Sequence, residues 1–315
     1  MSATDHSAVL PTRRALIAGA TAFCVNATVQ AAEQVFFQAH GLPIGLQLYT
    51  LGEAPRLDLD GSLSKLSNIG YRTVEFANFL GRTPQSLRTA LDRAGLSCTS
   101  IHAPLSADPG KLAEQAQVLG FDRVITSLFS LPKGLGVRPQ SGESGQAFIA
   151  RAGAQMGPDD WKWNAELLNQ QGEALRREGL KVGYHNHNPE LRPLPGRLTG
   201  LDILLRETDP ALVTFEMDAG WVAAGGHDPI DFLHRHPGRF ELMHVKDLKP
   251  TTTANYALQM DPTEVGSGVI DWRKALPAAY TAGVRRFFVE QEPPFAHDRF
   301  EAAKISFDYL SRLRA

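Results

Sequence analysis

The sequence predicts an α/β protein folded as a single closed (β/α)8 barrel, a TIM barrel, behind an N-terminal export leader. Three observations carry the fold. Eight short apolar runs alternate with stretches of helical length, glycine follows several of those stretches, and no Pro- or Gly-rich linker divides the alternation. The 315 residues, 43% of them hydrophobic, supply the apolar surface for a core of that size. A formal net charge of -2 and the absence of a long basic run leave nucleic-acid binding without an electrostatic footprint.

In chain order the leader comes first, over residues 1–32. Thr12-Arg13-Arg14 precedes the uncharged, mostly small or apolar stretch Ala15 to Val29, and Gln30-Ala31-Ala32 offers small residues at a cleavage point. This pattern resembles a twin-arginine signal. The competing reading, a membrane anchor, is opposed by the shortness of the stretch and by Thr21, Asn26 and Thr28 within it. The expected location is periplasmic or otherwise exported, with no membrane attachment after cleavage. Cleavage would remove Cys24 and leave Cys98 alone, so no intramolecular disulfide is expected.

The barrel is expected over residues 33–315. Its strands are placed at Ile44–Tyr49, Thr73–Phe76, Cys98–His102, Arg123–Ser127, Lys181–His185, Leu212–Asp218, Phe240–His244 and Arg286–Glu290. These runs are short and rich in Val, Ile, Phe and Thr, which suits strands covered on both faces. Helices are placed at Leu63–Asn68, Pro84–Ala94, Lys111–Leu119, Asp159–Glu178, Gly200–Thr208, Pro229–His236, Trp272–Ala282 and His297–Leu313. Gly70, Gly95, Gly120, Gly179 and Gly283 stand where a helix closes in the left-handed conformation. A doubly wound open sheet would place a glycine-rich phosphate turn after an early strand, and Gly41 to Leu51 holds none. The Gly-, Pro- and Ser-rich segment Leu128–Pro158 reads as an excursion over the barrel mouth after strand four.

Charged and imidazole side chains cluster at the C-terminal ends of the strands, where barrel enzymes place their chemistry. They are Glu75, His102, His185 and His187, Glu216 and Asp218 in Phe215-Glu216-Met217-Asp218, His244, Lys246 and Asp247, and Glu290 and Glu292. Taken singly each has a plain explanation: a hydrogen-bonded histidine, or an aspartate capping the next helix. Taken together on successive strand ends they converge on one mouth. Imidazole plus carboxylate is the donor set of a divalent ion such as Mn, Zn, Mg or Co.

The runs Ile44-Gly45-Leu46-Gln47-Leu48-Tyr49-Thr50, Tyr184-His185-Asn186-His187, Met217-Asp218-Ala219-Gly220-Trp221, His244-Val245-Lys246-Asp247, Val265-Gly266-Ser267-Gly268-Val269-Ile270-Asp271 and Val289-Glu290-Gln291-Glu292 resemble the xylose isomerase-like barrel proteins. Within that family they are nearest the sugar phosphate isomerase/epimerase branch. The resemblance implies one metal ion held by a Glu, an Asp, a His and a Glu from strands five to eight. Asp218, His244 and Glu290 match the last three. His185 stands in place of the first Glu, with His187 and Glu190 as alternatives, so the implied metal set is His185, Asp218, His244 and Glu290.

The resemblance further implies a metal-dependent isomerase, epimerase or lyase acting on a sugar or keto-sugar, by proton removal beside a metal-bound carbonyl. Catalytic roles fall to Glu290 as base and to His185, His102 and Lys246. Substrate contacts fall to Glu75, His187, Trp221, Glu292 and Tyr49. With His185 replacing a Glu, two-base epimerisation loses one base, which favours isomerisation or elimination. Two further readings are a non-catalytic sugar-binding barrel and a metal-dependent hydrolase of the same barrel class. The expected partner is a small-molecule sugar, and homo-oligomerisation is left open.

Overall fold

A computed structural model describes residues 1–2 and 34–315, so the expected leader, apart from its first two residues, lies outside the described residues. Eight parallel strands close into a barrel: β1 (Ile44–Gln47), β2 (Thr73–Phe76), β3 (Ser97–His102), β4 (Arg123–Thr126), β5 (Lys181–His185), β6 (Val213–Asp218), β7 (Phe240–Val245) and β8 (Arg286–Val289). Each strand pairs in parallel with its sequence neighbours, and β8 pairs with β1. All eight strands lie where the apolar runs place them, with ends shifted by one or two residues. Asp247–Leu248 and Pro262–Thr263 form a small antiparallel ladder beside the mouth. The barrel and its helices make one unit, Glu33–Ala315. Among the described residues no helix is long and apolar enough to cross a membrane.

Strand periodicity divides the side chains into two sets. Val74, Ile101, Val124, Val182, Phe215, Met217, Met243, Val245 and Phe287 are buried in the main hydrophobic core, which the surrounding helices complete. The alternate set points into the barrel. Its lower level is an apolar plug of Ile125, Leu242 and Phe288. Glycine makes room for it: a Cβ on Gly45 would meet Phe288 Cδ1 at 2.5 Å, and one on Gly183 would meet Ile125 Cδ1 at 2.5 Å. Two residues further along the same strands the inward positions become Gln47, Glu75, His102, His185, Glu216, His244 and Glu290. The plug thus forms the floor of the polar cluster.

The helices begin and end on local signals. Thr83, Asp108, Thr199 and Asp298 accept hydrogen bonds from backbone N–H groups of the helices they cap. Gly70, Gly95, Gly120, Gly179 and Gly283 all have positive φ, as their positions predict. The excursion after β4 is more ordered than its composition suggests, because Gly145–Gly153 forms a helix capped by Ser144. Glu143 anchors that helix through Arg151, whose Nη2 lies 2.7 Å away.

The opposite, N-terminal face is built for stability. Glu241 is bridged there by Arg123 Nε at 2.8 Å and Lys181 Nζ at 2.8 Å. Burial alone would raise its carboxyl, but the two cations more than reverse that and hold it below the ordinary value of 4.5. A depressed folded-state pKa contributes stability that is present above pH 4.5 and fades as pH falls through the lowered value. Glu241→Gln is therefore expected to cost about 1 kcal/mol at pH 7. In urea unfolding the deficit should shrink below pH 4.5, and a deficit that stays constant to acid pH would contradict this assignment.

Candidate metal centre

Register brings the strand-end residues together. His185 on β5 stands opposite Glu216 on β6, and Asp218 opposite His244 on β7. One donor atom each from His185, Asp218, His244 and Glu290 falls within 4.8 Å of the others, and these four residues are buried. A second set, His102, His185, Glu216 and His244, shares both histidines. The two sets use opposite ring edges. His244 Nδ1 lies 2.9 Å from Glu290 Oε2 and 3.9 Å from Asp218 Oδ2, while its Nε2 lies 2.8 Å from Glu75 Oε2 and 3.2 Å from Glu216 Oε2. His185 Nε2 lies 3.8 Å from Asp218 Oδ2, and its Nδ1 lies 3.0 Å from Glu216 Oε2.

Asp218 does two jobs. Its Oδ1 accepts from Trp221 N at 2.8 Å, capping the helix Ala219–Ala224, and its Oδ2 faces the cluster. The capping explanation for an aspartate after a strand is therefore correct for one oxygen and incomplete for the other. Asn186 secures the same corner, with its Oδ1 accepting from Asp218 N at 3.1 Å.

Lys246 is wholly buried, with Nζ 2.7 Å from Asp218 Oδ2, from Glu290 Oε2 and from Glu292 Oε1. Its stem packs across Gly220, where a Cβ would meet Lys246 Cγ at 2.8 Å. Trp221 lies 5.2 Å from the ammonium. Glu75 is likewise buried, held by Gln47 Nε2 at 2.8 Å and by the imidazoles of His102 and His244. Neither Lys246 nor Glu75 borders the cavity above the cluster. Their polar atoms meet the cluster itself, Glu75 through His102 and His244 and Lys246 through Asp218, Glu290 and Glu292.

That cavity measures about 490 Å³ and is bordered by Tyr49, His102, His185, His187, Trp221, Glu290 and Glu292, all expected at the site. Leu128, Gln146 and Ile149 of the excursion complete its rim. Glu190 is elsewhere: its Oε1 accepts from Tyr184 OH at 2.8 Å, and Tyr184 belongs to the outward set of β5. His187 borders the cavity, 4.9 Å from His185 ring to ring, and lies outside both donor sets. Of the three strand-five candidates, the structure brings His185 alone into a donor set.

Burial and neighbouring charge sort the protonation states. His102 is raised to about 10, because Glu75 and Glu216 outweigh the effect of burial. His244 is raised as well, by Glu216 and Glu290 against burial. Burial, reinforced by His244 and His187, keeps His185 neutral. Burial and Lys246 lower His187 to about 3. Asp218 is pushed up to about 6 by burial, and Glu216 to about 7 by burial and the charge of Glu75. Glu290 is held well below the usual range, since Lys246 and His244 more than offset burial.

Sequence reasoning counted Glu216 among the strand-end carboxylates but gave it no role at the site. The signal was present: in a strand, Glu216 and Asp218 lie two apart and face the same way. Asp247 also acquires a role, as a scaffold. Its carboxylate accepts from the backbone N–H groups of Gly266, Gly268 and Ile270 at 3.0–3.3 Å and from Trp272 Nε1 at 2.8 Å. A Cβ on Gly268 would lie 2.1 Å from Asp247 Oδ1, which ties the glycine spacing of that loop to this carboxylate.

The sequence profile of the xylose isomerase-like TIM barrel family matches residues 63–313. The chain belongs to that family. An inosose dehydratase of Geobacillus thermodenitrificans is 26% identical over 292 residues, covering 85% of this chain and 94% of that protein. A sugar phosphate isomerase/epimerase from Parabacteroides distasonis is 24% identical with a TM-score of 0.66, covering 90% of this chain and 98% of that one. A xylose isomerase-like TIM barrel protein from Mycobacterium smegmatis, in complex with magnesium, has a TM-score of 0.62 at 15% identity, covering 87% and 97%. As a xylose isomerase-like barrel with its polar cluster at the C-terminal mouth, the chain is an enzyme of that class.

Proposed function

We propose that this protein is a divalent-metal-dependent enzyme that removes a proton beside the carbonyl of a keto-sugar and then expels the group β to that carbonyl, a lyase built on an isomerase-like barrel. The observation that carries the reading is the convergence of His185, Asp218, His244 and Glu290 within 4.8 Å, with His185 and Glu290 bordering a cavity. The donor chemistry fits a divalent ion: two imidazoles and two carboxylates suit Zn, Mn or Co better than Mg. Separations of 2.9–3.9 Å between ligand atoms also suit bonds of about 2.0–2.2 Å to one ion. Behind this set Glu216 and Glu75 would orient the two histidines, as carboxylates behind metal-bound imidazoles do. A divalent ion held there would polarise the substrate carbonyl.

The chain's own residues supply the rest. Glu290 borders the cavity and is ionised, so it takes the proton from the carbon beside the carbonyl. Its pairing with Lys246 weakens its basicity, which makes the reaction depend on an acidified substrate carbon. His102 borders the same cavity and is held protonated by Glu75 and Glu216. It donates a proton to the departing oxygen, leaving an unsaturated ketone and a free alcohol or water. His185 is neutral and stands where the family pattern has a Glu. With His185 in place of a ligand Glu, elimination is favoured over two-base epimerisation, and the inosose dehydratase relative agrees with that direction. The isomerase/epimerase alternative is favoured by the likeness to the Parabacteroides protein.

The test is proton exchange in deuterium oxide. Metal-loaded protein with a panel of ketoses and 3-keto-glycosides is expected to wash deuterium into the carbon beside the carbonyl, followed by loss of the β substituent. Exchange with inversion and no loss would assign epimerisation instead. No exchange across the panel, with metal in place, would shift the reading to the non-catalytic sugar-binding barrel.

A further inference from the structure

The loop between Leu248 and Pro262 brings a leucine to the cavity over the donor cluster. Leu258 borders that cavity and has a φ of 55°, a backbone conformation that a bulky residue rarely adopts. Among the described residues Leu80 and Arg197 share this feature, and neither borders the cavity. A turn of this kind ordinarily carries Gly, Asn or Asp. Such strain persists only where the surroundings hold it, and Asn188, wholly buried, holds this one. Its Nδ2 donates to the carbonyl oxygen of Asn255 at 2.9 Å and to Asn255 Oδ1 at 3.0 Å, and its Oδ1 accepts from Leu258 N at 3.0 Å. Asn255 N donates to the Ala224 carbonyl at 2.9 Å, which ties the loop to the helix that Asp218 caps.

The strained backbone delivers an apolar surface. Leu258 belongs to one cluster with Trp221, Ala224 and Leu248, and Ile149 of the excursion packs against it. Leu258, Trp221 and Ile149 all border the cavity, while Gln47, Asn78 and His102 border it as well. The wall is therefore divided into an apolar stretch and polar groups. A sugar ring is divided in the same way: equatorial hydroxyls point outward around its edge, and its faces present axial C–H groups. A face laid on the apolar stretch is removed from water at a gain. An axial hydroxyl on that face would lose its water and find no partner.

We propose that Leu258 is a specificity-determining residue of this site, held in the wall by Asn188 so that one face of the substrate ring lies against it. The substrate is then a keto-sugar whose hydroxyls are equatorial on that face. This inference rests on the keto-sugar reading above and adds the stereochemistry that the site accepts.

The experiment uses the full, metal-loaded protein and calorimetry with methyl 3-keto-β-glucoside, its 4-epimer and its α-anomer. The 4-epimer carries an axial oxygen on one ring face and the α-anomer carries one on the other. At least one of the two is expected to bind about tenfold more weakly than the β-glucoside, the scale on which apolar walls discriminate. Leu258→Asn keeps a backbone conformation that asparagine readily adopts and replaces the apolar side chain with an amide. It should narrow the difference to within about twofold, whereas Leu258→Met should keep it near tenfold. Should the asparagine variant not fold, Leu258→Gly removes the same side chain and is expected to narrow the difference equally. Equal binding of the three compounds by the unaltered protein overturns the role of Leu258 and leaves the keto-sugar reading standing. A folded asparagine or glycine variant that keeps the full difference overturns it too. Failure of all three compounds to bind overturns both readings together.

Discussion

His244→Ala is expected to lose its divalent metal on dialysis under conditions in which the unaltered protein retains it. His244 is the one residue that offers a nitrogen to Glu290 and Asp218 on one edge and to Glu75 and Glu216 on the other. Loss of a group behind a metal ligand already weakens binding about 10–100-fold, and loss of a ligand exceeds that. The substitution also strands four buried carboxylates around a void. Removing one partner from such an arrangement costs about 3–5 kcal/mol. Asp218→Asn separates the two effects, because it keeps the shape and the cap on Trp221 while removing charge. Metal content measured by mass spectrometry, alongside circular dichroism, checks both variants. A folded His244→Ala protein with full metal content would remove the proposed centre.

Glu290→Gln is expected to lower solvent deuterium exchange by about 10²–10⁴-fold, the contribution of a positioned general base. Metal content must be measured first, since Glu290 is also one of the four proposed ligands. The glutamine keeps an oxygen for the metal and removes the proton acceptor. Burial and pairing with Lys246 and His244 give a specific alternative: a carboxylate held well below its usual range is a weak base. His187 is a neutral imidazole on the same cavity wall. If metal-replete Glu290→Gln still exchanges and His187→Phe does not, the base is His187, and Glu290 acts solely on the ion.

Both predictions concern residues that could be read from the sequence, because strand ends with ligand-type side chains are local features. The eight strands, the glycine closures and the helix caps are equally local. They depend on periodicity and on single residues such as Thr199 and Asp108, which cap the helices they precede. His185, Asp218, His244 and Glu290 could be nominated as one set because a parallel barrel sends its strand ends to one rim.

Tertiary structure decided which of those residues reach the cavity and which support it. Lys246 could equally have faced substrate. The packing of its stem on Gly220, and the meeting of Asp218, Glu290 and Glu292, hold its ammonium buried among three carboxylates. Glu190 follows His185 by five residues, yet the turn after β5 carries it back to Tyr184 on the outer face. Glu216 was a strand carboxylate until register set it opposite His185, with His102 and His244 closing from β3 and β7. By itself the sequence determined the elements, their order and the donor types. Depth, register and the direction of side chains beyond a strand's last residue arise from contacts between distant segments, and those only the closed barrel decides.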